Sequence, residues 1–100
     1  MSYRAPVEDI LATMRHVAGL DALQADGLVP ELEDGLTEAV LEEAAKFAGD
    51  VLAPLNTVGD RHGSTLKDGV VTTPPGWKEA YRAWAEGGWN ALPGPEAYGG

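Results

Sequence analysis

The chain contains no cysteine, and basic and aromatic side chains are scarce among its 100 residues. The absence of cysteine excludes a disulfide framework and thiolate chemistry. Seven lysines and arginines stand against sixteen aspartates and glutamates, which gives a net charge of −9. A protein with that balance repels phosphate backbones and anionic lipid surfaces. We therefore expect no nucleic-acid partner and no membrane partner.

Long apolar runs are also missing from the sequence. None approaches the ~18 residues that a membrane-spanning helix requires. The N-terminal residues lack the basic region and the following apolar region that mark a secretory signal. We therefore expect a cytoplasmic protein. A chain of this length fits within one domain at most.

Residues that could carry chemistry are few. His16 and His62 stand in no pattern of metal ligands. Ser64 follows His62 by two positions, but it lacks the G-x-S-x-G elbow of a nucleophilic serine. The glycine pairs at 87–88 and 99–100 belong to no phosphate-binding motif. We expect no catalytic residue, no metal site and no cofactor-binding residue within the chain.

A cluster of acidic residues follows the first third of the chain. It lacks the alternating register of a calcium-binding loop, and most of it is expected on the outer face of a helix. A charged, solvated surface is the interpretation we favour. The members of the cluster are Glu31, Glu33, Asp34, Glu38, Glu42 and Glu43.

Apolar residues recur at helical spacing in three stretches, at residues 6–18, 37–54 and 76–87. Thr37 is the predicted N-cap of the second helix, because its hydroxyl can accept a bond from a free backbone amide. Pro54 is expected to kink or end that helix, since proline has no amide hydrogen and crowds the preceding turn. The pattern predicts an all-α fold with three principal helices and short turns.

Smaller features complete the predicted fold. Gly19 is expected to end the first helix, and residues 20–28 have room for one short helical turn. Glu42 and Lys46 are predicted to form an ion pair one turn apart. A minor extended hairpin is predicted near residues 65–73, where the turn dipeptide Asp-Gly precedes a β-prone Val-Val-Thr-Thr.

Three aromatic residues of the last predicted helix share one face. Trp77, Tyr81 and Trp84 fall at positions i, i+4 and i+7. We favour a role for this face in an ordinary core, with a docking or ligand-binding face as the second interpretation. A third is that the face packs on helices absent from this chain, in which case an exposed apolar patch would drive self-association.

Several short sequences occur in the order and spacing of a known family. Residues 51–56 read VLAPLN, residues 69–76 read GVVTTPPG, residues 85–89 read AEGGW and residues 95–100 read PEAYGG. Together they resemble the N-terminal helical region of the acyl-CoA dehydrogenases. Tyr3 to Pro6 and the acidic stretch after them look like the start of the longer subgroup that includes methylthiopropanoyl-CoA dehydrogenases. No single piece is a catalytic signature.

The resemblance implies a division of the chain and a function. Residues 1–35 would form an N-terminal extension with an amphipathic helix, and residues 36–100 the truncated start of the family's N-terminal helical domain. The parent enzyme would use FAD to desaturate an acyl-CoA thioester, with a downstream glutamate as base, and would pass electrons to an acceptor flavoprotein. A homo-oligomer is implied. Tyr98, Gly99 and Gly100 would lie beside the acyl pocket as part of its wall.

An alternative without catalysis remains open, in which the chain is a stand-alone, small, acidic and helical interaction module. An acyl carrier protein is the obvious comparison. It requires a serine in a D-S-L context at a helix start, and neither Ser2 nor Ser64 has that context. A generic acidic adaptor is compatible with the sequence.

Overall fold

The computed structural model describes residues 2–32 and 35–100, and their backbone is mostly helical. The α-helices are α1 (Val7–His16), α2 (Leu20–Ala25), α3 (Leu36–Phe47), α4 (Ala53–His62) and α5 (Trp77–Glu86). One antiparallel hairpin joins β1 (Thr65–Lys67) to β2 (Val70–Thr72). The predicted all-α class is thus correct in its coarse form. The backbone divides into two compact units, one reaching Ala53 and the other spanning Pro54–Gly100.

In the first unit, α1 packs against α2 and α3. Acidic residues lie in the first turn of α1, and Arg15 and His16 lie in its last, as the helix dipole favours. The helix ends before Gly19, whose φ of 74° places the chain in the left-handed region and directs it into α2. Leu20, the first residue of α2, is buried.

An ion-pair network joins α1 to its neighbours. The Arg15 guanidinium pairs with the Glu38 carboxylate on α3, and its Nε lies 3.9 Å from Asp21 Oδ1 on α2. About two-thirds of the Glu38 side chain is removed from solvent, which strengthens the pair relative to a fully exposed one. Arg15 on α1 therefore interacts with side chains of both α2 and α3.

The start of α3 differs from the prediction. The N-cap residue is Gly35, with a φ of 84°, and Thr37 is the second residue of the helix. Thr37 is buried, and its hydroxyl has no hydrogen-bond partner among the described residues. Gly35 adopts the left-handed backbone at the N-cap, so the helix begins at Leu36. Thr37 therefore lies inside the first turn, where its side chain is buried and does not cap the helix. The prediction of Thr37 as N-cap was wrong.

The predicted ion pair within α3 was also wrong. Lys46 Nζ lies 3.5 Å from the Glu43 carboxylate, three residues away. The partner of Lys46 is therefore Glu43 and not Glu42. Both carboxylates are within reach of a flexible lysine on an exposed surface, and spacing alone does not select between them.

Helical structure continues beyond Pro54, where the sequence predicted a kink or an end. A π-helical segment, Ala48–Leu52, follows α3 directly, and α4 begins at Ala53 and runs to His62. Pro54 is thereby the second residue of α4, in the first turn. The wider π turn accommodates a proline whose missing amide hydrogen and bulky ring would disrupt a continuous α-helix.

The second unit contains the predicted hairpin, with Leu66 opposite Val71. Asp68 and Gly69 both have positive φ, 53° and 76°, as the tight two-residue turn requires. All residues of both strands are exposed. The hairpin therefore contributes no side chain to a core.

The beginning of α5 lies very close to α4. A Cβ atom added to Gly59 would lie 2.7 Å from Trp77 Cζ2, and one added to Gly76 would lie 2.8 Å from Leu55 Cδ2. Gly59 and Leu55 are one turn apart and lie on the same face of α4. The N-terminal end of α5 packs against that face. The absence of a side chain at Gly59 leaves the space in which the Trp77 ring lies.

Candidate functional site

The residues predicted as a pocket wall form a compact turn at the C-terminal end. Glu96–Tyr98 is a single 3₁₀ turn, and Gly99 follows it with a φ of 95°. The Tyr98 side chain is 90% exposed. The structure therefore brings Tyr98, Gly99 and Gly100 together and leaves the phenol ring available for contact with another group. Their role as a pocket wall remains a prediction.

The glycine pairs offer no cradle for a phosphate. The amides of Gly87 and Gly88 donate to the carbonyls of Ala83 and Ala85. The amides of Gly99 and Gly100 donate to the carbonyls of Glu96 and Pro95. A phosphate-binding nest requires free amides that converge on the anion. These four amides are therefore engaged within the chain and do not form such a nest.

The Gly87-Gly88 pair instead shapes the chain after α5. A Cβ atom on Gly87 would lie 3.0 Å from the Trp89 ring, and Gly88 has a φ of 79°. The two glycines thus allow the chain to reverse and the half-buried Trp89 ring to fold back beside the end of α5. This packing gives the AEGGW sequence a structural role.

A groove runs along one side of α5, with a volume of about 590 Å³. We call it the α5 groove. Its lining consists of Thr73, Trp77, Lys78, Tyr81, Arg82 and Ala85.

The predicted aromatic stripe borders this groove, and it is not buried. Trp77 is 44% exposed and Tyr81 is 69% exposed, while Trp84 is half-buried. The Tyr81 and Trp84 rings pack with their centroids 5.7 Å apart. The buried residue of α5 is the small Ala80. The interpretation as ordinary core was therefore wrong for Tyr81, whereas Trp77 is partly covered, with one edge of its ring against Gly59.

Two cationic groove residues were missed in the sequence. Lys78 and Arg82 form no ion pair with any described residue, although Glu79 and Glu86 lie on the same helix. Two like charges one turn apart weaken an isolated helix. Their spacing beside aromatic residues, in an otherwise acidic chain, is the signal that could have identified them.

The residues considered for catalysis remain separate. His16, His62 and Ser64 are exposed, and none makes a side-chain hydrogen bond within the described part of the chain. Nucleophilic catalysis requires a hydroxyl held against a base. The structure places no such pair among them.

The acidic cluster does not converge on a single point in the part that the structure describes. Glu33 and Asp34 lie outside the described residues, while Glu38 is paired with Arg15 and Glu43 with Lys46. Within residues 2–32 and 35–100, no three His, Asp or Glu side chains form a group that could hold a metal ion. None of the helices in those ranges combines the length and the apolar character needed to cross a bilayer.

Comparison with known proteins gives a relative that matches along the whole chain. The sequence is 38% identical over 100 residues to 3-methylmercaptopropionyl-CoA dehydrogenase of Ruegeria pomeroyi. The match covers all of this chain and 17% of the length of that protein. No protein-family profile matches the chain. The similarity to this CoA-thioester dehydrogenase confirms the resemblance predicted from the short sequences.

Proposed function

We propose that this chain is the N-terminal helical portion of an FAD-dependent acyl-CoA dehydrogenase and acts there as scaffold and pocket wall. The observation that carries the proposal is the 38% identity along the whole chain, together with its small share of the relative's length. A similarity of that extent, with no gap in coverage, supports a common fold and a common place within a longer protein.

The structure supports a scaffolding role in preference to a chemical one. The candidate catalytic side chains are exposed and unconnected, and the glycine amides are engaged in their own turns. FAD, when bound in the parent enzyme, supplies the hydride acceptor of the desaturation. The groups that hold it and the base that removes the substrate proton would lie outside this chain.

The substrate of the parent enzyme would be an acyl-CoA thioester. Tyr98 would contribute to the wall of the acyl pocket, because its ring is exposed on a turn whose backbone is closed by three hydrogen bonds. Such a turn fixes the backbone that carries the ring, which lowers the entropic cost of ordering the side chain on binding. The proposal extends to an acceptor flavoprotein, a homo-oligomeric parent and a cytoplasmic location.

The first test is to isolate the polypeptide that carries this segment from its source, using an antibody against the segment. Its mass and visible absorption spectrum are then recorded. We expect a polypeptide several-fold heavier than 10.5 kDa with the spectrum of a flavin that an acyl-CoA bleaches. A colourless species of the mass of this chain would contradict the proposal and favour the acidic interaction module.

The pocket wall is tested separately by Tyr98→Ala in that longer polypeptide. Loss of a ring that contacts the acyl chain should raise KM for acyl-CoA by roughly ten- to a hundredfold, since one large buried apolar contact is worth ~1.5–3 kcal/mol. Tyr3→Ala is the matched control, because Tyr3 is also exposed and lies at the other end of the chain. Equal KM values for the two variants would exclude Tyr98 from the pocket.

A further inference from the structure

We propose that the α5 groove binds an acidic amphipathic helix of a partner protein. The proposal goes beyond the proposed function and requires that the remainder of the longer parent leaves the groove uncovered. The groove combines two exposed aromatic rings, Trp77 and Tyr81, with two cations, Lys78 and Arg82. It therefore offers an apolar strip bordered by positive charge on one helix.

The charges of the groove lack partners in the chain itself. Neither Lys78 nor Arg82 is within ion-pair distance of an acidic side chain of the described residues, in a chain with sixteen acidic residues. Residues 54–100 contain four basic and five acidic residues, so their net charge is −1 of the total −9. The part of the chain that carries the groove therefore imposes little net repulsion on a short acidic segment.

The dimensions of the groove match a helix laid alongside α5. From Trp77 to Ala85 the groove extends ~12 Å along the helix axis, and its two cations are separated by ~6 Å. Carboxylates at positions i and i+4 of a neighbouring helix have the same ~6 Å separation. Apolar side chains between them would cover the aromatic rings and remove them from water.

Other occupants satisfy only part of this pattern. A small anion would pair with Lys78 and Arg82 but would leave Trp77 and Tyr81 exposed. A nucleic acid or an anionic membrane requires a basic surface larger than two side chains, and residues 54–100 carry a net charge of −1. A second copy that used the same groove through two-fold symmetry would bring its own Lys78 and Arg82 against these two cations.

The test is fluorescence anisotropy of a labelled synthetic peptide with the longer polypeptide that carries this chain, so that surfaces covered in the parent stay covered. The peptide is an 18-residue helix of alanine, leucine and glutamate, with the leucines on one stripe and the glutamates beside them. A scrambled peptide of the same composition is the first control. We expect Lys78→Gln combined with Arg82→Gln to weaken binding about tenfold, since two ion pairs are lost, and Tyr81→Ser to weaken it severalfold.

The matched protein control is Arg61→Gln combined with Lys67→Gln. These two exposed cations belong to the same unit but not to the groove, so we expect less than about a twofold effect from screened charges. Circular dichroism of each variant checks that α5 remains folded. The proposal would be overturned if both double variants weakened binding equally or if the scrambled peptide bound equally well. An unchanged affinity of the Tyr81→Ser variant would also overturn it. So would sedimentation in which the protein self-associates and the Tyr81→Ser variant does not, because a second copy would then cover the groove.

Discussion

At the scale of single residues, the surroundings of Gly59 and Thr37 predict how each position responds to substitution. A Cβ atom at Gly59 would lie 2.7 Å from Trp77 Cζ2, which is shorter than any ordinary carbon contact. The hydroxyl of Thr37 is buried without a partner in the described part of the chain. One position therefore has no room for a methyl group, and the other carries a polar atom that its surroundings do not use.

Gly59→Ala is predicted to destabilise the chain by roughly 1–3 kcal/mol, because overpacking forces the Trp77 ring or the helix to move. In a Trp77→Ala background the same change should stabilise by up to ~1 kcal/mol, since alanine is the better helix former. Urea unfolding followed by circular dichroism measures all four members of this cycle. A destabilisation of the same size in both backgrounds would show that the ring is not the obstacle.

Thr37→Val is predicted to stabilise the chain by about 1 kcal/mol. Valine keeps the shape of threonine and removes a buried hydroxyl whose lost hydration costs ~1–3 kcal/mol. Thr37→Ser keeps the hydroxyl and removes the methyl group, so it should destabilise. Thermal unfolding of both variants checks the prediction, and a lower melting temperature for Thr37→Val would mean that the hydroxyl is hydrogen-bonded in solution.

At the scale of helices and strands, α1 and α3 are connected by the Arg15–Glu38 ion pair. Arg15 also approaches Asp21, so one cation serves two carboxylates. The Lys46–Glu43 pair offers a contrast, because both of its side chains are about two-thirds exposed. The two pairs differ in burial and in whether they connect separate helices.

A double-mutant cycle of Arg15→Gln and Glu38→Gln is predicted to give a coupling energy of about 1 kcal/mol or less, discounted for the partial exposure of both groups. The same cycle at Lys46 and Glu43 should give only a few tenths of a kcal/mol. Both are measured by urea unfolding at low and high salt. A larger coupling for the Lys46 pair would contradict the view that burial and a tertiary link determine the difference.

The helices and the hairpin were predictable because their signals are local. Periodicity placed α1 and α5 within one or two residues of their observed ends, and Asp68-Gly69 located the hairpin turn. At Pro54 the sequence predicts a kink or an end and does not decide between them, because the π turn that precedes the proline follows from no residue pattern. The exposure of Trp77 and Tyr81 agrees with the exposed patch of the third interpretation and not with the favoured core, because periodicity shows which residues share a face, and not whether anything covers it. The predicted division at residue 35 remains a prediction.

At the scale of the whole molecule, apolar burial is slight. The buried hydrophobic side chains of the described residues are Leu20 and Ala80, and no large side chain there is fully buried. Ordering the backbone costs ~1–2 kcal/mol per residue, which buried apolar surface must offset. Many large apolar residues are instead exposed, among them Val17, Leu28, Leu92 and Tyr98.

The isolated chain is therefore predicted to be of low stability at dilute concentration, or to be stabilised by association through its apolar surfaces. Association adds a favourable term that grows with protein concentration, so the melting temperature should rise as the chain is concentrated. Circular dichroism and sedimentation velocity over a hundredfold concentration range measure both effects.

The Lys78→Gln and Arg82→Gln double variant should behave like the unmodified chain, because this association does not use the cations of the α5 groove. A cooperative, concentration-independent transition of a monomer would show that the few buried contacts suffice, and would remove the main physical reason for regarding the chain as part of a larger fold.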